Sequence, residues 1–235
     1  MKFSTLKERA MGLCRVSKPN LVAAGAIYYG LTTLVNALSS RLLGGNLTES
    51  QAEKYLEAYQ SGDLERCLAI ASKCAPSNSA CVIHFALQLV LGIVGVGVVI
   101  FILNTVRGSG ASYGNLLDGF GIAPRAVLLR LLQDVLVFAW SLLLFVPGIV
   151  AAYRFSLAKY LMIDRPDLSV WACLRESSRL MKGHKWELFR LDLSLLGWTL
   201  LGAFLPLAAI FTVPYTGTVR AQYYEELTGA AAKTV

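Results

Sequence analysis

The chain has 235 residues, of which 55% are hydrophobic and 16% charged, and its mean hydropathy is +0.55. A soluble domain carries about 25% charged residues, so the polar surface of a soluble globule is lacking and a multi-pass membrane protein is expected. The net charge of +7 fits Lys and Arg collecting on the cytoplasmic side of membrane helices; no basic-aromatic groove accompanies it, which argues against nucleic acid.

Residues 1–19 carry Lys2, Lys7, Arg9, Arg15 and Lys18 against Glu8, while Leu6, Met11 and Leu13 can cover one side of a helix. The expectation is an amphipathic segment on the cytoplasmic surface, ended by Pro19. Residues 20–39 form the first transmembrane helix. The stretch "ALSS" at 37–40 offers a cleavage-site reading, but the leading polar stretch is long for a signal peptide, so an uncleaved helix is favoured.

Residues 40–79 are an extracytoplasmic polar insert, with Thr48 and Gln51 spaced as a capping box that opens a helix. Cys67, Cys74 and Cys81 fall seven apart in or beside it, which suits either one disulfide or a shared buried stripe. None of the five cysteines forms a C-x-x-C pair, which argues against zinc and thioredoxin chemistry.

Residues 80–227 read as the membrane bundle. Its second transmembrane segment, 80–103, contains Gly92, Gly95 and Gly97, which permit close helix contact. The Gly-rich stretch 104–125 does not have the spacing of a phosphate-binding loop. A third segment, 126–145, turns at Pro147 into a fourth, 149–163. A cytoplasmic amphipathic helix follows over 167–183, capped by Asp167 or Ser169 and ended by Gly183. Val170, Leu174, Ser177 and Met181 share one face of it; Arg175, Arg179 and Lys182 share another. The fifth segment, 188–204, turns at Pro206 into a sixth that ends near Tyr223. A third amphipathic segment is expected over about 216–227, and 228–235 is a C-terminal tail.

Orientation follows from short-loop cations. The N-terminus has five, and the 164–187 loop has Arg165, Arg175, Arg179, Lys182 and Lys185, while the turns at Pro147 and Pro206 have none. With six crossings the cation-rich loops fall inside, giving cytoplasmic N- and C-termini. The fold class is therefore an all-α membrane protein, a bundle of about six transmembrane helices with cytoplasmic amphipathic helices. The alternative is four full spans plus hairpins that enter only part-way, because 149–163 is short and charged.

The segments "PGIVAAYRFSLAKYLMIDRPDLS", "SSRLMKGHKWELFRLDLSLLGW" and "VPYTGTVRAQYYEEL" also carry a family likeness. Its marks include Pro147-Gly148-Ile149, Tyr153, Ser156, Asp164-x-Pro166, Ser178, Met181-x-Gly183-His184-Lys185, Gly197-Trp198, Pro214-Tyr215 and Tyr224. Over roughly 105–227 the chain resembles an uncharacterised bacterial membrane family, domain of unknown function 975. The resemblance implies a multi-helix protein of the bacterial plasma membrane and carries no catalytic residues across.

The residues that apolar runs would exclude are Arg130, Asp134, Arg154 and Asp192. Ionisable groups inside a membrane are costly and mark functional sites by default, so these four are the candidate intramembrane polar network. A structural reading is weighed beside it: Arg130 and Asp134 sit four apart and can satisfy each other, and Lys159 can snorkel. A second candidate is a cytoplasmic interaction surface of Arg175, Arg179, Lys182, His184, Lys185 and Trp186, suited to anionic headgroups.

No catalytic motif, cofactor site or metal site is expected; His84 and His184 fall on opposite sides of the membrane. "WSLLLFVPGIVAAY" and "WTLLGAFLPLAAIF" hint at a parallel repeat of two-helix hairpins. The function expected is a non-enzymatic accessory or scaffold that engages lipid headgroups or a membrane protein partner. The alternative is a small transporter or lipid-handling protein that uses the four charged residues.

Overall fold

The computed structural model describes residues 3–43, 49–74, 77–143 and 145–232, and all regular structure among them is helical. The chain divides into two compact units, Leu31–Leu91 and Met1–Gly30 together with Gly92–Val235.

The smaller unit holds the latter part of α2 (Leu21–Leu43), then α3 (Glu49–Gln60), α4 (Leu64–Cys74) and the start of α5 (Asn78–Arg107). The described residues of the polar insert are thus largely helical. Gly62, at φ +70, makes the left-handed turn between α3 and α4. Asp63 Oδ1 accepts from the Arg66 amide at 3.0 Å to start α4, and Ser77 Oγ accepts from the Ala80 amide at 3.2 Å to start α5. Cys67 and Cys81 are free thiols; the Cys74 side chain and Thr48 lie outside the described residues.

The larger unit adds α1 (Phe3–Val16), the short α6 (Asn115–Asp118) with a 3-10 turn at Gly119–Ile122, α7 (Ala123–Leu143), α8 (Phe145–Arg154), α9 (Ala158–Asp164), α10 (Val170–Leu180), α11 (Lys185–Phe204) and α12 (Pro206–Ala232). Two hairpins organise it. In each, a proline stands in the first turn of the returning helix, where its missing N–H costs nothing. Leu205, before Pro206, is extended and ends α11. Glycine lets the arms close: a Cβ on Gly148 would strike Ser141, and one on Gly202 would strike Thr212. The two return arms differ in length, 10 residues in α8 and 27 in α12.

Of the three glycines expected to permit close contact, Gly95 is approached by Tyr28 and Gly97 by the α6 backbone, while a Cβ on Gly92 would meet nothing. A Cβ on Gly97 would collide with the Leu116 carbonyl, and one on Gly119 with the Ile93 carbonyl, so α6 and its 3-10 turn lie directly on the α5 backbone. The Gly-rich stretch is therefore an ordered crossing over α5. Asn115 Oδ1 takes the Ser112 amide at 2.9 Å, and Tyr113 stacks on Phe101 at 5.8 Å.

Three expectations change. The 149–163 segment is not one helix: α8 and α9 are 10 and 7 residues long, separated by a turn at 155–157. The stretch 216–227 is not a surface segment. It continues α12, and Tyr215, Val219, Tyr223, Tyr224 and Leu227 are buried in the main core. The N-terminal helix forms, but Leu6, Ala10 and Cys14 are buried against the same core, with α12 as neighbour. Its apolar face is consumed by protein, leaving little of it for lipid.

Among the described residues, two helices are long and apolar enough to cross a membrane by length and composition: α2, with a mean hydropathy of 1.5, and α5, with 2.8. The α7 and α11 helices have the length, at 21 and 20 residues, but carry Arg125, Arg130 and Asp134, and Lys185, Glu187, Arg190 and Asp192.

Candidate functional site

In the larger unit, charged side chains of α5, α9 and α12 pair with one another. The strongest cluster centres on Arg107, the last residue of α5. Its guanidinium donates to both oxygens of Asp164 at 2.8 and 2.7 Å, and its Nε donates to Glu225 Oε1 at 2.6 Å. Asp164 closes α9 and Glu225 lies on α12, so one arginine ties three helices. Tyr224 Oη adds a bond to Asp164 Oδ2 at 2.6 Å while its ring stacks on Tyr160 at 5.1 Å. Bidentate arginine–carboxylate geometry of this kind is strong and directional.

The four candidate intramembrane residues do not join into one network. Arg130 and Asp134 pair with each other at 2.8 Å, as their spacing predicts, with side chains 78% and 57% exposed. Asp192 turns instead to Arg220 on α12, which donates to it at 3.1 and 2.9 Å. Arg154 donates to Ser178 Oγ, and its carbonyl accepts from Ser177 Oγ at 3.0 Å. That residue pins the α8 end to α10.

The interaction surface is largely open. Ser169 caps α10 by accepting from the Ala172 amide at 3.2 Å, and Gly183, at φ +88, turns the chain after it. Val170, Leu174, Ser177 and Met181 are buried, which is the face the spacing gave; Arg175, Arg179 and Lys182 are exposed. Burial pushes the pKa of Cys173, on the covered side, up. Trp186 is exposed and stacks on Phe189 at 5.1 Å. His184 and Lys185 are only half open, and His184 Nδ1 is held at 3.0 Å by Glu187. Trp171, exposed one turn before Arg175, belongs to the same face and was not anticipated, though its i, i+4 spacing to Arg175 pointed there.

Beside the Arg220–Asp192 pair lies a partly enclosed cavity of about 190 Å³ between α5 and α12. Lys159 and Arg220 line one part of it, and Lys159 Nζ sits over the Tyr160 ring at 5.0 Å. Among the described residues no carboxylate lies within ion-pair distance of Lys159. The sequence offered Lys159 only as a snorkelling residue; its place in a cavity depends on the α8–α9 break.

The family described as "Protein of unknown function (DUF975)" matches residues 36–231. The chain belongs to this family. The match extends the likeness through the polar insert, beyond the 105–227 stretch that carries the recognisable motifs. Asp164, Ser178 and Tyr224, which were among those motifs, are here bonding partners of Arg107 and Arg154. No curated protein and no solved structure matches the chain.

Proposed function

We propose that this is a bacterial plasma-membrane protein acting as a non-enzymatic accessory or scaffold, whose cytoplasmic face engages anionic headgroups. The carrying observation is the open cationic–aromatic surface of Trp171, Arg175, Arg179, Lys182 and Trp186 on a unit that also exposes apolar stripes. On α7 the exposed stripe is Leu128, Leu131, Val135, Phe138 and Leu142; on α11 it is Leu193, Leu196, Leu200 and Phe204. Both follow the helical period, and continuous apolar stripes of this extent mark a surface covered by membrane or protein. Trp beside Lys and Arg suits the headgroup layer.

In this reading α2 and α5 cross the bilayer, and the two hairpins enter from the cytoplasmic side. The charge-free part of α7, 135–143, spans about 14 Å, and that of α11, 193–204, about 18 Å, at 1.5 Å per residue. The hydrocarbon core is about 30 Å thick, so each hairpin reaches roughly halfway before its charges must enter lipid. Phe204 and Leu207, at the Pro206 turn, are 80% and 83% exposed, which suits a tip in hydrocarbon better than one in water. Both termini then lie in the cytoplasm whatever depth the hairpins reach, and the 40–79 insert is extracytoplasmic. Transport through Arg130, Asp134, Arg154 and Asp192 is the weaker reading, because each is already bonded to a different partner.

The test uses the full chain in nanodiscs of mixed phosphatidylglycerol and phosphatidylcholine, with the retained annular lipid quantified by mass spectrometry. Each cation near the surface contributes about 1 kcal/mol of attraction to anionic lipid. The double variant Arg179→Glu, Lys182→Glu is therefore expected to lower phosphatidylglycerol enrichment by about tenfold or more. An unchanged lipid ratio refutes the headgroup role of this face.

A further inference from the structure

We propose that the cavity between α5 and α12 binds one phosphate-bearing anion, with the anionic group at Lys159 and Arg220. Three observations on the larger unit carry this, and none involves the open α10 face. The first is charge. The ionic groups within electrostatic reach of Lys159 are Arg220, Arg130 and Asp192. Asp192 is engaged by Arg220 and Asp134 by Arg130, so the Lys159 ammonium is the uncompensated charge at the cavity. A half-buried ammonium in a partly enclosed cavity favours a counter-ion or hydrogen-bond acceptors, and the Tyr160 ring supplies only part of that.

The second is polarity along the cavity. The α5 and α12 helices run side by side in the same direction: a Cβ on Gly217 would lie 2.8 Å from Ile102 Cδ1, and Arg107 meets Glu225 further along. Gly95, Val99 and Val213 therefore line the end away from Arg220. The cavity is cationic at one end and mainly apolar at the other, where the Tyr28 hydroxyl is the polar group, with Thr216 between. An amphiphile with an anionic head has the same division.

The third is room. The cavity holds about 190 Å³, enough for a phosphate group, although Tyr28 Oη and Ile102 Cδ1 already approach the backbone at Gly95 and Gly217. The anionic group can come from a lipid headgroup or from free phosphate. A headgroup would extend its chain along Val99 and Val213; inorganic phosphate would use the cationic end alone.

The experiment takes the full chain, delipidated in uncharged detergent, and titrates it with dihexanoyl phosphatidylglycerol, dihexanoyl phosphatidylcholine and inorganic phosphate. Binding is read as a single adduct in native mass spectrometry and as a rise in melting midpoint. Phosphatidylglycerol or phosphate is expected to bind and phosphatidylcholine to bind at least tenfold more weakly. Lys159→Gln is expected to weaken anion binding by about tenfold or more, the loss of one charge-assisted contact, while Lys159→Arg retains it. Lys182→Gln, on the open α10 face, leaves it unchanged. Val99→Phe separates the sources: it weakens the lipid and spares inorganic phosphate if a lipid is the occupant, and it spares both if phosphate alone is.

Without ligand, Lys159→Gln should melt no lower than the parent chain, since it removes an uncompensated charge. Equal binding of phosphatidylglycerol and phosphatidylcholine, binding untouched by Lys159→Gln, or no binding of either anion overturns the proposal. None of these outcomes depends on the Arg179→Glu, Lys182→Glu result, so the two readings fail separately.

Discussion

Asp164→Ala tests whether the Arg107 cluster holds the larger unit together. The substitution removes two charge-assisted bonds to Arg107 and the acceptor of Tyr224 Oη. Arg107 keeps Glu225, so its charge is not stranded. Charge-assisted hydrogen bonds contribute about 1.5–3 kcal/mol each, but Asp164 and Arg107 retain 19% and 35% of their side-chain exposure, which screens part of that. A net loss of about 3 kcal/mol results, or a fall in melting midpoint of about 6–12 °C for a chain of this size. Asp164→Asn, which can still accept from Tyr224, should lose roughly half as much. The reference is Arg130→Gln, which breaks an exposed i, i+4 pair worth about 0.3–0.5 kcal/mol. The assay is thermal unfolding of the detergent-solubilised chain followed by size-exclusion recovery. Equal midpoints for Asp164→Ala and Arg130→Gln would refute the argument that the cluster ties α5, α9 and α12.

Gly97→Val places a branched side chain against the Leu116 carbonyl and should cost about 1–3 kcal/mol or displace α6, seen as a lowered midpoint. Gly92→Val, where a Cβ meets nothing, is the matched control. The Cys14 thiol is buried and its pKa is pushed up to about 11 by burial, so at pH 8 it stays protonated and shielded; maleimide should label exposed Cys81 first and reach Cys14 only on unfolding. Because the folded thiol titrates above its ordinary value, its contribution to stability is present at neutral pH and is lost as the pH rises towards 11. Ser169→Ala removes the cap of α10 and should cost about 1 kcal/mol, read as a midpoint shift of about 2–4 °C.

The α10 face was legible because it obeys a local rule. A helix period of 3.6 sorts Val170, Leu174, Ser177 and Met181 from Arg175, Arg179 and Lys182 before any partner is known. The Arg130–Asp134 pair was legible for the same reason. Asp192 was not: its partner Arg220 is 28 residues away, and no periodicity links them. The pairing of Arg107 with Asp164 and Glu225 was equally hidden, its partners lying 57 and 118 positions away.

Composition and cation placement by themselves determined the helical class, the apolar α2 and α5, the two proline-turned hairpins and the buried face of α10. These depend on nearest neighbours along the chain and on the solvent that each stretch prefers. The tertiary structure decided what the charges do and which amphipathic helices remain free. It spent the apolar faces of α1 and the end of α12 on each other and on the core, broke 149–163 at 155–157, and set Lys159 beside a cavity. Those outcomes depend on which helices meet, and a meeting between residues 57, 60 or 118 positions apart leaves no period in the sequence to read.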